Sequence, residues 1–187
     1  MGDPKITDKR WTIDLEKRIQ ESHYEFNPCR YSFDPNSEKE LFVIDTPPPY
    51  PSGTWHIGAV AQYSMIDVIA RSQRLIGKEV LFPWGVDRNG INIEFTVEKK
   101  TGKKMRTYER GEFIDLCKET IEVYTQEMRQ TAKRVGLSCD YANEYLTDDP
   151  KYRSVTQSIF VDLFKRGDII EDLRPNIYDP VEGTTIA

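Results

Sequence analysis

Short apolar runs alternate along the chain with longer segments of helical period. Leu41–Ile44 is a run of four apolar residues with β-branched members, which predicts a buried strand. Ala59–Leu75 presents a broad apolar face and predicts a helix that packs on a sheet, with Gly77 as a left-handed cap. Glu79–Trp84 predicts a second buried strand. The order strand, helix, strand predicts a βαβ unit with a parallel pair of strands.

Other segments show helical periodicity outside this unit. The predicted helices are residues 5–22, Asn89–Lys99, Thr107–Val135 with Gly136 as its stop, and a helix from Pro150 to Gly167 that Asp148 or Asp149 caps. In the first helix Trp11, Leu15 and Ile19 recur every four residues, and Thr7 or Asp8 can cap it. Residues 138–146 predict a loop, and residues 169–178 predict a short β-ribbon.

A proline-rich loop joins the first strand to its helix. Pro47, Pro48 and Pro49 cannot donate backbone hydrogen bonds, so they end the strand. The helix then opens at His56, and a strand, a tight loop and a helix N-terminus together predict an anion site. His56 can donate to a phosphate there, and Gly58 lets a flat ring lie against the backbone. The alternative is a surface loop with an incidental histidine.

The second strand leads into the block GVDRNGINIE, residues 85–94. Ligands of open α/β sheets bind at the carboxyl ends of strands, so Asp87 is expected at the same edge as His56. A carboxylate in that position suits a cationic group such as the α-ammonium of an amino acid. The alternative is that Asp87 caps the predicted helix Asn89–Lys99.

The composition excludes several classes of protein. The formal net charge of −5 argues against a general nucleic-acid coat, and we expect no DNA partner. No apolar run approaches the ~20 residues of a membrane span, and the N-terminal residues have no apolar core of a secretory signal. Cys29, Cys117 and Cys139 form neither a disulfide framework nor a zinc pattern, which predicts a reducing, cytoplasmic location.

Two blocks resemble the class I aminoacyl-tRNA synthetases. TPPPYPSGTWHIGAV, residues 46–60, resembles the HIGH-motif loop of that family, and its TPPP lead-in is most similar to the valine enzymes of the valine, isoleucine and leucine group. PWGVDRNGINIE, residues 83–94, is similar to the family's GWDxHGLPTE block. The chain departs from these motifs at Ala59 and Asn89, where the family usually has histidine, and at Asn92, where it usually has proline.

The resemblance implies an α/β fold with a parallel, Rossmann-like nucleotide-binding sheet, an N-terminal helix and a short C-terminal β-ribbon. Residues 1–40 are then an N-terminal helix and loop. Residues 41–187 are the first half of the catalytic domain, truncated before the expected editing insertion and inactive alone. The family often has a C-P-x-C zinc knuckle where this chain has residues 178–183, which contain no cysteine, so we expect no metal there.

The resemblance also implies an activity. The parent protein would activate valine with ATP, in the presence of Mg²⁺, and transfer it to the tRNA for valine. His56 would be catalytic; the ATP-binding residues would be His56, Gly58, Ala59, Asn89 and Gly90, and the amino-acid-binding residues Pro48, Pro49, Tyr50 and Asp87.

Three alternatives remain open. The first is a parent that acts on isoleucine or leucine rather than valine, within the same group of enzymes. The second is another nucleotidyl-transfer enzyme with H-x-G-H chemistry, although such enzymes usually lack a block like Gly85–Glu94. The third is a non-catalytic synthetase paralogue that acts as a binding module, an alternative that Ala59, Asn89 and Asn92 support.

Overall fold

The computed structural model describes residues 8–181 and 183–186 and divides into two compact units, Met1–Asp149 and Pro150–Ala187. The elements of the first unit are α1 (Ile13–Phe26), β1 (Leu41–Val43), α2 (Ile57–Leu75), β2 (Glu79–Leu81), β3 (Pro83–Val86), α3 (Asn92–Thr101), a 3₁₀ turn (Met105–Thr107), α4 (Arg110–Val135) and β4 (Asp140–Leu146). The second unit contains α5 (Pro150–Arg166), β5 (Ile177–Asp179) and β6 (Thr184–Ile186).

The segment that contains β2 and β3 pairs with a parallel strand on each side. The carbonyl of Leu81 accepts from Ile44 N–H at 2.9 Å, and the next carbonyl, of Phe82, accepts from Asp140 N–H at 2.7 Å. Because successive carbonyls of a strand point to opposite sides, β2 pairs with β1 and β3 pairs with β4. The predicted parallel βαβ unit is therefore confirmed, and its second strand extends beyond Trp84 to Val86.

The core lies between these strands and the helices α2 and α4. Its largest members are Trp84 and Phe82, each 1% exposed, and Met128 of α4. Tyr63 and Ala70 of α2 complete the contact with the strands. The helix packs on the sheet as expected, but through Tyr63, Asp67 and Ala70, whereas Met65, Val68 and Ile69 of the predicted apolar face are exposed. The strand predicted at Leu41–Ile44 is not buried as expected, because Leu41 and Val43 are exposed and only Phe42 and Ile44 pack against the core.

The helix α1 begins later than the sequence predicts, because Thr12 is its N-cap and accepts from Leu15 N–H at 3.1 Å. Asp8 instead pairs with Arg18 at 3.0 Å, and the other predicted cap, Thr7, lies outside the described residues. No residue of α1 is buried. Its Gln20 and Tyr24 donate to the carbonyls of Arg134 and Lys133 in the last turn of α4.

The ends of α2 and α4 match the predicted glycine stops. Gly77 has φ +93° and Gly136 has φ +84°, a region that favours glycine.

The predicted starts of the two later helices are corrected. The helix α3 begins at Asn92 and not at Asn89, because residues up to Ile91 form the loop. The helix α4 begins at Arg110, after the 3₁₀ turn.

The segment 138–146, predicted as a loop, contains strand β4, so that prediction is wrong. Its residues do not alternate between apolar and polar, which removed the usual signal of a strand. The ladder with β3 and the buried Asp140 stabilise it instead. The carboxylate of Asp140 accepts from the backbone N–H groups of Tyr31 and Ala142 at 2.8 and 3.0 Å. A buried carboxylate with such donors is stable in the folded chain.

In the second unit, α5 begins at Pro150 as predicted, and a β-ribbon follows it. The ribbon lies later in the chain than predicted: β5 and β6 pair antiparallel, with Asp179 opposite Thr184. Gly183 N–H donates to the Asp179 carbonyl at 2.8 Å and closes the turn, while Glu182 lies outside the described residues. Among the described residues no three His, Cys, Asp or Glu side chains lie close enough together to hold a metal ion.

Candidate functional site

Two loops meet at the carboxyl ends of the parallel strands. The first, which we call the proline loop, is residues 45–56 and follows β1; the second, which we call the aspartate loop, is residues 87–91 and follows β3. The backbone N–H of Asp87 donates to the carbonyl of Pro49 at 3.0 Å. The structure therefore joins the two loops that the sequence analysis singled out.

His56 is the N-cap of α2. Its Nδ1 accepts from the Ala59 N–H at 3.3 Å, so a neutral imidazole in this position carries its proton on Nε2. The imidazole is exposed. The N–H groups of Ile57 and Gly58 have no acceptor among the described residues. A ring N–H and two backbone N–H groups are thus available to an anion at the positive end of the helix dipole.

Gly58 provides the space into which the His56 ring folds. A Cβ at Gly58 would lie 3.0 Å from both Cε1 and Nδ1 of His56, which is tighter than an ordinary van der Waals contact. The spacing of histidine and glycine therefore has a structural reason beside the predicted approach of a flat ring. Ala59, the next residue, takes part through its backbone N–H, and its side chain is half-buried.

Asp87 does not cap α3, so that alternative is wrong. The N-cap of α3 is Ile91, which makes no side-chain capping bond. The Asp87 Oδ1 instead accepts from Asn89 N–H at 3.0 Å and from the Thr147 hydroxyl at 3.1 Å. No described residue donates to Asp87 Oδ2. The half-buried carboxylate thus keeps one oxygen open to a ligand.

The neighbouring Arg88 does not neutralise Asp87. Its guanidinium pairs with Glu122 at 2.7 Å and with Asp148 at 3.1 Å, and its side chain is 9% exposed. Hydrogen bonds from Gln126 and then from Arg88 lower the pKa of Glu122, which keeps that carboxylate charged. The one cation of the aspartate loop is therefore already paired, and the charge of Asp87 remains available to a ligand.

Tyr50 joins the proline loop to α3. Its hydroxyl accepts from the Ile93 N–H at 3.0 Å and donates to the Gly90 carbonyl at 3.3 Å. It thereby caps a helix that has no local side-chain cap. Gly90 has φ +150°, and a Cβ there would lie 3.2 Å from Cε2 of Tyr50. Tyr50 is predicted to line the amino-acid pocket, and its hydroxyl is engaged by Gly90 of the aspartate loop and by Ile93 of α3.

The prolines of the loop are supported by aromatic rings. Pro48 and Pro49 are half-buried, and the carbonyl of Pro47 accepts from the Tyr63 hydroxyl at 2.9 Å. Burial raises the pKa of Tyr63 to about 12, so its hydroxyl stays protonated and keeps this bond. The ring of Tyr63 stacks on Trp55 with centroids 5.0 Å apart. The proline loop is therefore held against α2 from both ends.

Thr147 is the residue that the sequence analysis missed. It follows β4 directly and is 7% exposed. Its hydroxyl contacts three groups of the aspartate loop, including the side chain of Asn89, whose Nδ2 donates to it at 2.9 Å. The signal that would have found it is the strand before it. Had β4 been recognised, its carboxyl end would have fallen at the edge of the site.

The structure thus brings all the predicted site residues to one edge of the sheet, on the proline loop, the first turn of α2 and the aspartate loop. Within the described residues, no helix has the length and apolar character needed to cross a bilayer. All three cysteines are unpaired.

Comparisons with known proteins agree with these features. The chain is 43% identical over 189 residues to the valine--tRNA ligase of Aeropyrum pernix, with 98% of this chain and 23% of the relative covered. It is 46% identical to the valine--tRNA ligase of Archaeoglobus fulgidus, over 84% of this chain and 18% of the relative. The chain therefore spans about a fifth of the length of these curated relatives.

A solved structure shares the fold. It is a LeuRS of Agrobacterium radiobacter K84, in a ternary complex with tRNA and LeuAMS, with a TM-score of 0.70 and 30% identity. The match covers 91% of this chain and 20% of the LeuRS chain. The α/β, Rossmann-like fold expected from the sequence is thereby confirmed. The model of the class I tRNA synthetases for isoleucine, leucine, methionine and valine matches residues 18–187. The expected family is confirmed: this chain belongs to the class I tRNA synthetases.

Proposed function

We propose that this chain supplies the ATP and amino-acid contacts of a valine--tRNA ligase, as the first part of its catalytic domain. One observation carries the proposal. The Asp87 N–H to Pro49 hydrogen bond joins the aspartate loop, which has a carboxylate with an open oxygen, to the proline loop, which leads into the histidine-capped N-terminus of α2. The first site suits a phosphate and the second suits an ammonium, and amino-acid activation needs both groups held side by side.

The chemistry would proceed by in-line transfer. A carboxylate oxygen of the amino acid attacks the α-phosphorus of ATP, a new P–O bond forms, and the bond to the leaving pyrophosphate breaks. Negative charge builds on the phosphate oxygens, where the Nε2–H of His56 and the free N–H groups of α2 would stabilise it. Mg²⁺ would accompany the phosphates of ATP in the complete enzyme. The product would be an aminoacyl-adenylate.

The remaining predicted residues would position the two substrates. Asp87 Oδ2 would accept from the α-ammonium and so bring the carboxylate into line. Gly58, Ala59, Asn89 and Gly90 would lie along the ATP. Asn89 uses one proton of its Nδ2 to contact Thr147, so its amide oxygen and the second Nδ2 proton are the groups that would reach the nucleotide.

One observation supports valine over isoleucine or leucine. The curated relatives described above are valine--tRNA ligases at 43% and 46% identity, whereas the LeuRS is 30% identical. Pro48, Pro49 and Tyr50 would form a small apolar wall for the side chain. Such a wall discriminates by only ~1–3 kcal/mol per methylene. In the complete protein the aminoacyl group would pass to the tRNA for valine, and the family and the unpaired cysteines favour a cytoplasmic location.

The test is pyrophosphate exchange by the full-length gene product, with each standard amino acid in turn. We expect exchange that depends on valine. Exchange that depends best on isoleucine or leucine would contradict the substrate, and no exchange with any amino acid would favour a non-catalytic binding module.

A variant tests the ammonium anchor. Asp87→Asn keeps an oxygen that can accept from Asn89 and Thr147 but removes the charge. It should raise the KM for valine by about tenfold or more and leave the KM for ATP nearly unchanged. Asp115→Asn is the matched control, since the side chain of Asp115 is 74% exposed on α4. Equal losses for both substrates would point to a structural role of Asp87.

A further inference from the structure

The hydroxyl of Thr147 is completely occupied by hydrogen bonds. It accepts from the backbone N–H of Arg88 at 2.8 Å and from Nδ2 of Asn89 at 2.9 Å. The third contact is Oδ1 of Asp87 at 3.1 Å. All three partners belong to the aspartate loop, whereas Thr147 follows the neighbouring strand β4.

These contacts fix the direction of the hydroxyl proton. A threonine hydroxyl has two acceptor lone pairs and a single proton. Two N–H donors take the lone pairs of Thr147, so its proton points to Asp87 Oδ1. That oxygen also accepts from Asn89 N–H at 3.0 Å. Oδ1 therefore accepts two hydrogen bonds, and the carboxylate cannot rotate without losing both of these bonds.

We propose that Thr147 is a positioning residue that orients the carboxylate of Asp87, so that Oδ2 faces the α-ammonium of the amino acid. This inference rests on the proposed function, in which Asp87 is the ammonium anchor. Thr147 does not touch the substrate. It acts by holding one carboxylate oxygen so that the other presents a fixed acceptor.

The strand ladder makes Thr147 a rigid support. Its own N–H donates to the carbonyl of Val86 at 3.1 Å, and Val86 lies opposite Leu146 in the β3–β4 pairing. Thr147 and Asp87 each follow a residue of that pair. Val86 is fully buried and Thr147 nearly so. The distance between the hydroxyl and the carboxylate is therefore set by the pairing of β3 with β4.

The test compares Thr147→Val with Thr147→Ser in the full-length gene product. The valine side chain keeps the shape but removes the hydroxyl, and serine keeps the hydroxyl. We expect Thr147→Val to raise the KM for the amino acid by about tenfold and the KM for ATP by much less, because the lost bond to Asp87 involves a charged group and the lost bond to Asn89 does not. Thr147→Ser should stay within about twofold of the wild type.

A second buried threonine provides the matched control. Thr125 is fully buried in α4 and donates to the carbonyl of Ile121 in its own helix at 2.7 Å. Thr125→Val makes the same chemical change away from the aspartate loop, and it should leave the KM for the amino acid unaltered. If Thr147→Val does not fold, Thr147→Cys carries the same prediction, because a thiol is nearly the same size and is a weak donor.

A double-variant cycle isolates the route through Asp87. Once Asp87→Asn has removed the charge, Thr147→Val should add little to the KM for the amino acid. Fully additive effects would overturn the inference, as would an unchanged KM in Thr147→Val alongside an active wild type. Absence of amino-acid-dependent exchange in the wild type itself would overturn the proposed function, and the inference with it.

Discussion

The imidazole of His56 lies over Gly58, so closely that a methyl group on Gly58 would be 3.0 Å from two ring atoms. The same imidazole accepts from the N–H of Ala59 through Nδ1. His56, Gly58 and Ala59 thus form one capping unit, in which the Nε2–H of His56 points away from the helix. The spacing of the motif is a property of this unit and not only of a ligand.

Gly58→Ala should uncouple activity from stability. The new methyl group shifts the imidazole by a few tenths of an ångström, so the rate should fall, by less than the about 100-fold that a misplacement of about 1 Å costs. Alanine is a better helix former than glycine by roughly 0.5–1 kcal/mol, so stability should not fall. Pyrophosphate exchange and urea unfolding measure the two effects. Full activity in this variant would contradict the packing of His56 on Gly58.

Replacing His56 separates capping from phosphate binding. His56→Ala loses the cap, at about 1 kcal/mol of stability, and also the Nε2–H donor. His56→Asn keeps a good capping residue but not the reach of the ring. Both variants should slow adenylate formation by about 100-fold or more, and only the alanine variant should lose stability. Restored activity in His56→Asn would show that capping is the only role of His56.

Tyr50→Phe should destabilise the chain through the N-terminus of α3. The lost hydroxyl leaves Ile93 N–H without its acceptor, at a cost of about 1 kcal/mol in the free energy of unfolding. Urea denaturation of the 187-residue chain measures this. Tyr108→Phe is the control, because the Tyr108 ring packs on Phe113 while its hydroxyl has no hydrogen bond with a described residue. Equal stabilities for the two variants would refute the capping role of Tyr50.

Replacement of Asp67 should destabilise the fold. It is 6% exposed on α2 and accepts from the N–H and the hydroxyl of Ser138, just before β4. Asp67→Ala leaves both buried donors unsatisfied and should cost about 2–3 kcal/mol in the free energy of unfolding. Asp115→Ala, an exposed carboxylate beside Lys118, should change it by less than about 0.5 kcal/mol. A small loss in Asp67→Ala would contradict this assignment.

The free energy of unfolding should decrease as the pH rises from 10 toward 12, in part because of Tyr63. Burial raises its pKa from 10.0 to about 12 in the folded chain. Between these values the unfolded chain binds fewer protons than the folded chain. The contribution of Tyr63 is therefore complete below pH 10 and is lost as the pH rises toward 12, at up to about 1.4 kcal/mol per pH unit.

Urea unfolding at a series of pH values checks this slope. Tyr63→Phe lacks the ionisable group, so its stability should fall less steeply than that of the wild type above pH 10. Tyr24, whose pKa is also raised to about 12 by burial, remains in both proteins and supplies a common background. Identical slopes would show that Tyr63 ionises normally in the folded chain.

The sequence itself determined those helices and strands whose ends are set by residues close by in the chain. The strand at Leu41, the prolines after it and the helix opened by His56 were predicted because each signal lies within a few residues of the element it controls. The helix ends at Gly77 and Gly136 follow from the sequence for the same reason, because a helix commonly ends where a glycine adopts the left-handed conformation.

Tertiary structure decided the contacts that complete the candidate site. Tyr50 caps a helix 43 residues later, and Thr147 orients a carboxylate 60 residues earlier. Neither contact has a local pattern, and β4 was missed because a ladder and a buried carboxylate stabilise it in place of apolar alternation. Hydrogen bonds between distant segments depend on where the strands end in space, and only the folded sheet determines those positions.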